Sequence, residues 1–198
     1  VLMMTSRLYS EIATTNAVIS GELEPTLLVR GGETLSLGGD VTVSVRGIPG
    51  HTPGSVAYVI NGQNDVFVGD AVQIHGAANG FPGFTDPAAY RASLIELRDV
   101  IRPDRLFLGH PYRTAEGESQ GVVLDAAHAR AALDESIAIE GRVSAAAHDC
   151  LVHGLTASDS PYSPFAPVAE SLGYTGDPAL EPSPFFTSMH GYRMQEGA

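Results

Sequence analysis

Alternating apolar and polar residues mark the middle of the chain as strand-rich. Over residues 41–46, valine occupies every second position and polar residues fill the others, which is the two-residue period of a half-buried strand. Two β-branched runs follow at Val56–Ile60 and 65–68, and the Asn-Gly pair between them supplies the backbone conformations of a tight hairpin turn. A short extended piece at 26–30 and an apolar run at 105–108 predict further extended segments.

Helical spacing is found in two later segments. Asp86 and Pro87 are an N-cap and a first-turn proline, and apolar residues follow them at intervals of four, three and four. This apolar face consists of Tyr90, Leu94, Leu97 and Ile101. A long helix is predicted over 119–152, with Gly141 as a point of bending or interruption. Its inner face is predicted to consist of Val122, Ala126, Ala129, Leu133 and Ile137.

Strands and helices in this order predict an α/β fold in which helices pack against a sheet. With 198 residues, of which 43% are hydrophobic and 17% charged, the chain has the length and composition of one globular domain. We expect residues 1–155 to form this domain, including a weaker helix at 3–19. Residues 156–198 are expected to form a proline-rich tail that packs on the domain.

The charge balance narrows the class of partner. The formal net charge is −12 and all eleven basic residues are arginine, so an acidic surface without a basic run argues against nucleic acid or anionic lipid. No apolar stretch is long enough to cross a bilayer, and the first residues lack the charged region of a signal peptide. We therefore expect a cytoplasmic protein that acts on a small molecule. The single cysteine, Cys150, excludes an internal disulfide.

Three residues of metal-ligand type each follow a glycine near the end of a predicted strand. His51 lies in a G-H-T-P-G-S motif between two Gly/Pro turns, and Asp70 and His110 each end a β-rich run. The carboxyl ends of strands are where α/β sites gather. Imidazole nitrogen and carboxylate oxygen together suit zinc, with iron and manganese as alternatives. The pattern predicts that the three side chains converge on one metal-binding pocket.

The three segments, in this order, resemble the second half of the metallo-β-lactamase-fold hydrolases over about residues 27–112. In that family, G-H-T-P-G-S carries a metal histidine, Gly-Asp a bridging carboxylate and Gly-His the last metal histidine. The resemblance implies that His51 ligates the first of two zinc ions, that Asp70 bridges both and takes part in catalysis, and that His110 ligates the second. It also implies part of an αββα sandwich, namely the second β-sheet with its flanking helices, followed by a C-terminal helical extension.

The activity that the resemblance implies is hydrolysis of an ester, thioester, lactone or amide by a metal-bound hydroxide, whose pKa the metals lower towards about 7. Substrate contacts are predicted at His75, in the loop after the bridging aspartate, and at Tyr112 and Arg113 after the last metal histidine. His190 in the tail is a candidate lid residue. We interpret three histidines of the long helix as surface or packing residues, since their spacing is not the i, i+4 pattern of a paired site: His128, His148 and His153.

One motif of the family is missing from the 198 residues. The H-x-H-x-D-H motif supplies most ligands of the first metal, yet no two histidines here are separated by a single residue. Three ligands are too few for two zinc ions, because each zinc normally takes three or four protein ligands. The chain as it stands is therefore expected to be inactive.

Two interpretations follow from the missing motif. Either the motif lies upstream of Val1 and the chain is a fragment of a hydrolase, or the chain is a non-catalytic relic or interaction module that kept the fold without a working site. Half of a sandwich leaves the apolar face of one sheet exposed. The isolated chain is therefore expected to aggregate or to form a homodimer.

Overall fold

A computed structural model of the protein describes residues 27–72, 83–113, 119–153 and 184–196. The strands in these ranges are β1 (Thr34–Gly38), β2 (Val41–Gly47), β3 (Val56–Ile60), β4 (Asp65–Gly69), β5 (Arg105–Arg113) and β6 (Ser119–Asp125). The α-helices are α1 (Pro87–Glu96), which continues as a π-helical turn over Leu97–Ile101, α2 (Ala126–Val152) and α3 (Pro184–Glu196). The predicted helix at 3–19 lies outside the described residues.

The strands form one six-stranded sheet in the order β1-β2-β3-β4-β5-β6. Neighbouring strands are antiparallel except β4 and β5, which run parallel because α1 carries the chain back between them. Helices α1 and α2 pack against each other, and α2 lies on β5 and β6. The apolar faces of these elements meet in one core, whose largest fully buried side chains are Tyr90, Phe84, Ile48, Leu94, Leu97, Leu106, Leu124 and Leu133.

The strand predictions for the hairpin region are confirmed. The two-residue period at 41–46 corresponds to β2, in which Val43 and Val45 are buried, and β3 and β4 pair as the predicted antiparallel hairpin. The extended piece predicted at 26–30 is not a strand in its described part, 27–30. No prediction covered β1, because its side chains are largely exposed and its sequence carries little burial pattern.

Helix α1 begins as the sequence predicts. Asp86 Oδ1 accepts a hydrogen bond from Ala89 N at 3.0 Å, and Pro87 is the first helical residue. The π-helical turn that follows ends at Arg102, whose φ of 53° is left-handed. The predicted apolar face is confirmed, with three buried residues and one packed at the edge of the core: Tyr90, Leu94, Leu97 and Ile101.

The predicted start of the long helix is wrong. Residues 119–125 form β6, and α2 begins only at Ala126. Asp125 caps this helix, because its Oδ1 accepts a hydrogen bond from His128 N at 3.0 Å. The β-branched run before the cap favours a strand. Val122, assigned to the inner face of a helix, instead lies on β6 and is 40% exposed.

The remainder of the predicted inner face is confirmed at Ala129 and Leu133, which are fully buried, and in part at Ile137, which packs against the core. It is wrong at Ala126, the first residue of α2, which is exposed.

Gly141 does not interrupt the helix, since α2 runs without a break to Val152. The neighbours Ile139 and Val143 are buried in the core. Tertiary packing on both sides therefore outweighs the low helix propensity of glycine at this position.

Helix α3 packs on the body of the protein. Tyr192 is only 5% exposed, and its hydroxyl donates a hydrogen bond to Glu140 Oε1 on α2 at 2.7 Å. Residues 154–183 lie outside the described ranges, so the domain boundary at 155 stays a prediction. Within the described residues, no helix combines the length and the apolar character that a bilayer crossing requires.

The second face of the sheet is apolar and open near its centre. Tyr58, Phe67, Phe107 and Val123 are successive register partners across β3, β4, β5 and β6. The rings of Phe67 and Phe107 stack with their centroids 4.2 Å apart. Nevertheless Tyr58, Phe67 and Val123 are 37%, 40% and 47% exposed. An exposed apolar row of this kind is typical of a surface that another protein covers.

We expect this row to drive self-association of the chain. Replacing Phe67 with glutamate places a charge in the row and should shift the protein towards monomer in sedimentation velocity. Val100→Glu is the matched control, because Val100 is an isolated valine of the π-helical turn and is 72% exposed. A wild-type protein that stays monomeric over the whole concentration range would contradict the prediction.

Burial of Tyr192 predicts a loss of stability at alkaline pH. Its enclosure in the protein, together with the negative charge of Glu140, raises the pKa of Tyr192 above its ordinary value of about 10. Because the folded pKa is the higher one, the unfolded chain releases this proton first. The stabilising contribution is therefore complete below about pH 10 and is lost as the pH rises further, at up to about 1.4 kcal/mol per pH unit.

The measurement is the free energy of unfolding by urea from about pH 8 to about pH 11, in the wild type and in Tyr192→Phe. The six other tyrosines and Cys150 also titrate in this window but are common to both proteins, so the difference between the two curves isolates Tyr192. The wild type should lose more stability than the variant across the window. Parallel curves for the two proteins would show that Tyr192 is not the group responsible.

Candidate functional site

Asp70 and His110 meet where the pairing between the parallel strands β4 and β5 ends. The last parallel pair of β4 and β5 joins Gly69 to Leu108. Asp70 comes directly after β4, and His110 lies two residues beyond that pair, so both reach the same edge of the sheet. His110 Nε2 is 3.4 Å from Asp70 Oδ1. Their side chains are 46% and 43% exposed, which leaves both accessible from solvent.

The sequence predicts that a strand ends at His110, but the observed strand continues beyond it. β5 continues to Arg113 because its last residues pair with β6, with Tyr112 opposite Gly121. The position of His110 is therefore fixed by the end of the pairing between β4 and β5, and not by the end of β5 itself.

The glycines that precede the two residues have different structural reasons. A Cβ added to Gly109 would collide with Asp70 Oδ1 and would lie 2.9 Å from the carbonyl carbon of Gly69. Gly69 has open space around it, but its φ of 53° is a left-handed conformation that glycine adopts without strain. Close packing therefore favours glycine at 109, and backbone conformation favours it at 69.

His51 lies in a tight turn between β2 and β3. Ile48 N donates a hydrogen bond to Ser55 O at 2.9 Å, which closes the turn. Gly50 has a φ of 136°, and a Cβ at this position would collide with the backbone of Tyr90 on α1. The turn predicted around His51 therefore packs closely against the first turn of α1, and this contact fixes the position of the His51 backbone.

A backbone carbonyl orients the imidazole of His51. His51 Nδ1 lies 2.6 Å from Gly83 O. A carbonyl oxygen only accepts hydrogen bonds, so the neutral ring carries its proton on Nδ1 and keeps a lone pair on Nε2. This is the tautomer that suits a histidine ligating a metal through Nε2. No sequence signal pairs Gly83 with a histidine 32 positions earlier.

The structure brings two of the three predicted ligands together. Asp70 and His110 are in contact, and within the described ranges no three His, Cys, Asp or Glu side chains are grouped closely enough to hold a metal ion. Zinc normally takes three or four protein ligands. The pair has the right donor atoms, but the described residues do not by themselves make a zinc site that fits. Convergence of His51 with the pair stays a prediction.

Of the three predicted substrate contacts, the structure describes the side chain of Tyr112. Tyr112 is buried, and its hydroxyl donates a hydrogen bond to Glu135 Oε2 on α2. Arg113 ends β5 with its side chain outside the described part of the structure, and His75 lies wholly outside it. Their roles as substrate contacts stay predictions.

The other histidines lie on the helices. His128 Nδ1 is 2.9 Å from Asp125 Oδ1, and His153 Nδ1 is 2.7 Å from Asp149 O. Four such histidines are exposed, as expected of surface residues: His128, His148, His153 and His190. A lid role for the last of them stays a prediction.

Comparison with known proteins shows which family the chain is similar to. Residues 17–110 match the metallo-β-lactamase superfamily. Cytoplasmic hydroxyacylglutathione hydrolase of Arabidopsis thaliana is 31% identical over 88 residues, which are 42% of this chain and 34% of that protein. Hydroxyacylglutathione hydrolase of Hyphomonas neptunium is 34% identical over 90 residues, which are 46% of this chain and again 34% of the relative. The chain thus spans about one third of the length of these relatives.

A solved structure shows the same fold. The crystal structure of a metallo-β-lactamase family protein from Thermus thermophilus superposes with a TM-score of 0.55 at 20% identity, over 88% of this chain and 51% of that one. Over residues 17–110, the chain is similar to the metallo-β-lactamase superfamily. The resemblance inferred from the sequence motifs and the predicted α/β fold class are confirmed.

Replacing Gly109 with alanine should push the Asp70 carboxylate away from His110 and crowd the backbone of Gly69. We expect a loss of about 1–3 kcal/mol in the free energy of unfolding, as for other overpacked sites, measured by urea denaturation. Gly47→Ala is the matched control, because its Cβ would meet only Arg30 O at an ordinary 3.7 Å. Equal stability of the two variants would contradict the proposed reason for glycine at 109.

Proposed function

We propose that this chain carries the carboxyl-terminal part of the active site of a metal-dependent hydrolase. The observation that carries the proposal is the contact between Asp70 Oδ1 and His110 Nε2, at 3.4 Å on the solvent-accessible edge of the sheet. The similarity of residues 17–110 to the metallo-β-lactamase superfamily supports the same reaction class. We assign Asp70 as the bridging and catalytic carboxylate, and His51 and His110 as ligands of the two metals.

Zinc is the metal that we propose, with iron and manganese as alternatives, because the donor atoms are imidazole nitrogen and carboxylate oxygen. When bound, two zinc ions supply Lewis acidity to the site. The described residues provide fewer ligands at one point than zinc requires, so the proposal needs His51 and further residues to complete the set. We therefore assign no step of the reaction to the metals.

The reaction that we propose is hydrolysis of an acyl compound. The oxygen of water forms a bond to the acyl carbon, the bond to the leaving sulfur, oxygen or nitrogen breaks, and the leaving group takes up a proton. Asp70 is suited to hold the proton of the attacking water, since its carboxylate is accessible from solvent. Tyr112, Arg113 and His75 are proposed to line the substrate pocket.

The first substrate class to test is a hydroxyacyl thioester of glutathione. Two relatives with 31% and 34% identity carry the name hydroxyacylglutathione hydrolase. The similarity covers 34% of each relative, so the comparison does not extend to the remainder of either protein. Esters, lactones and amides are the other classes that the same chemistry serves. We also propose a cytoplasmic location and a homodimer, with no nucleic acid or membrane partner.

A non-catalytic interaction module is the second candidate function. The observation that favours it is that the described residues group no three metal ligands together. Such a module would keep the six-stranded sheet and its exposed apolar row, but it would bind neither metal nor thioester.

The test is metal content together with thioester hydrolysis, measured on protein expressed from its complete coding region. We expect zinc by elemental analysis and a loss of thioester absorbance with time. His51→Ala and His110→Ala should each lower the rate by at least about 100-fold, because even the loss of an outer-shell partner costs about 10–100-fold.

The matched control is His153→Ala, which removes an exposed histidine at the end of α2. It should leave metal content and rate unchanged. A folded protein that holds no metal and hydrolyses none of the four substrate classes would overturn the hydrolase proposal and favour the interaction module.

A further inference from the structure

Residues 83–86, which we call the strap, lie between the turn that carries His51 and helix α3. On the first side, His51 Nδ1 donates to Gly83 O at 2.6 Å. Gly50 O accepts hydrogen bonds from Thr85 N at 2.7 Å and from Asp86 N at 3.1 Å. The Thr85 hydroxyl also donates to Gly50 O at 3.2 Å and to His51 O at 3.4 Å. The strap is therefore joined by five hydrogen bonds to His51 and the residue before it, and it supplies the acceptor that sets the orientation of the ring.

On its other side, the strap is held by α3. Phe84 N donates a hydrogen bond to Ser188 Oγ at 3.0 Å, and Ser188 is fully buried. The ring of Phe84 meets that of Tyr192 edge to face, with centroids 5.8 Å apart. Gly191 lies so close that a Cβ there would be 2.7 Å from Thr85 O. One helix thus holds the strap by a hydrogen bond, a ring contact and a close backbone approach.

The helix has its own attachment to the body of the protein. Tyr192 donates from its hydroxyl to Glu140 Oε1 at 2.7 Å, and Arg91 Nη1 lies 2.6 Å from Glu140 Oε2. Glu140 is 4% exposed, so a buried carboxylate on α2 ties α3, through Tyr192, and α1, through the half-exposed Arg91, to the body of the protein. At its end, α3 makes an exposed contact in which Gln195 Nε2 donates to Asp86 Oδ1 at 3.2 Å.

We propose that α3 is a positioning element for His51. It holds the strap in place, and the strap in turn keeps Gly83 O against Nδ1, so that the lone pair of Nε2 is presented in one direction. Ser188 and Gly191 are then positioning residues that act through the strap, although they lie more than a hundred positions from Gly83 in the sequence. The consequence for metal ligation rests on the proposed function, but the control of the ring does not.

The test reads the ring directly, by two-dimensional proton–nitrogen NMR of the histidine side chains at a pH where they are neutral. The signals of His51 are assigned by their loss in His51→Asn. In the wild type we expect the Nδ1–H tautomer alone. In Gly191→Ala, the added methyl group collides with the strap, while alanine is the better helix former, so α3 moves off without being weakened. The Nδ1–H signal should then be lost in favour of the Nε2–H tautomer, which prevails for a neutral histidine side chain in water.

Met194→Ala is the matched control on the same helix, because Met194 is 61% exposed, and it should give the wild-type pattern. Ser188→Ala removes the acceptor of Phe84 N and should act in the same direction as Gly191→Ala. Should both buried-site variants fail to fold, as judged by near-ultraviolet circular dichroism, Gln195→Ala removes the exposed contact with the strap and should raise the Nε2–H population.

An unchanged Nδ1–H signal of His51 in the folded variants overturns the proposal. The measurement uses neither metal nor substrate, so it separates the two claims. If the tautomer changes in the variants and the wild type has no hydrolase activity, the positioning role stands and the proposed function is wrong. If the tautomer is unchanged and the wild type is an active hydrolase, the proposed function stands and the positioning role is wrong.

Discussion

The parallel pairing of β4 with β5 is the interaction on which the rest of the structure depends. It is built on Val66 and Leu106, opposite each other in the register and both fully buried in the core under the helices. Because parallel strands end at the same edge, this pairing sends Asp70 and His110 to one place. An antiparallel arrangement of the same two segments would put them at opposite edges of the sheet, and no site could form.

A second constraint acts on the backbone around the site. Gly50, Gly69 and Gly109 each stand where the chain takes a positive φ or where a side chain would collide with a neighbour. They let the turn of His51 approach α1 and let two strands approach each other around a carboxylate. The polar side chains are thus fixed by packed backbone, which is the kind of support that keeps a site ordered before any ligand binds.

Patterns of local origin could be predicted from the sequence, and contacts between distant segments could not. The valines of β2 and the cap at Asp86 are local, and both were predicted correctly. The sequence predicts a helix over 119–125, because Val122 and Ala126 stand four positions apart, yet the β-branched pair before the cap at Asp125 favours the strand that forms. The pairing of Ser188 with Phe84 spans 104 positions and leaves no trace in composition or spacing.

The most direct test of the account is the position of the Asp70 and His110 side chains in a crystal structure of sufficient resolution to place them. The account predicts β4 and β5 parallel, with the last pair at Gly69 and Leu108 and the carboxylate oxygen close to the 3.4 Å seen here from His110 Nε2. A structure with these strands shifted by one residue, so that the two side chains point to opposite faces of the sheet, would contradict it.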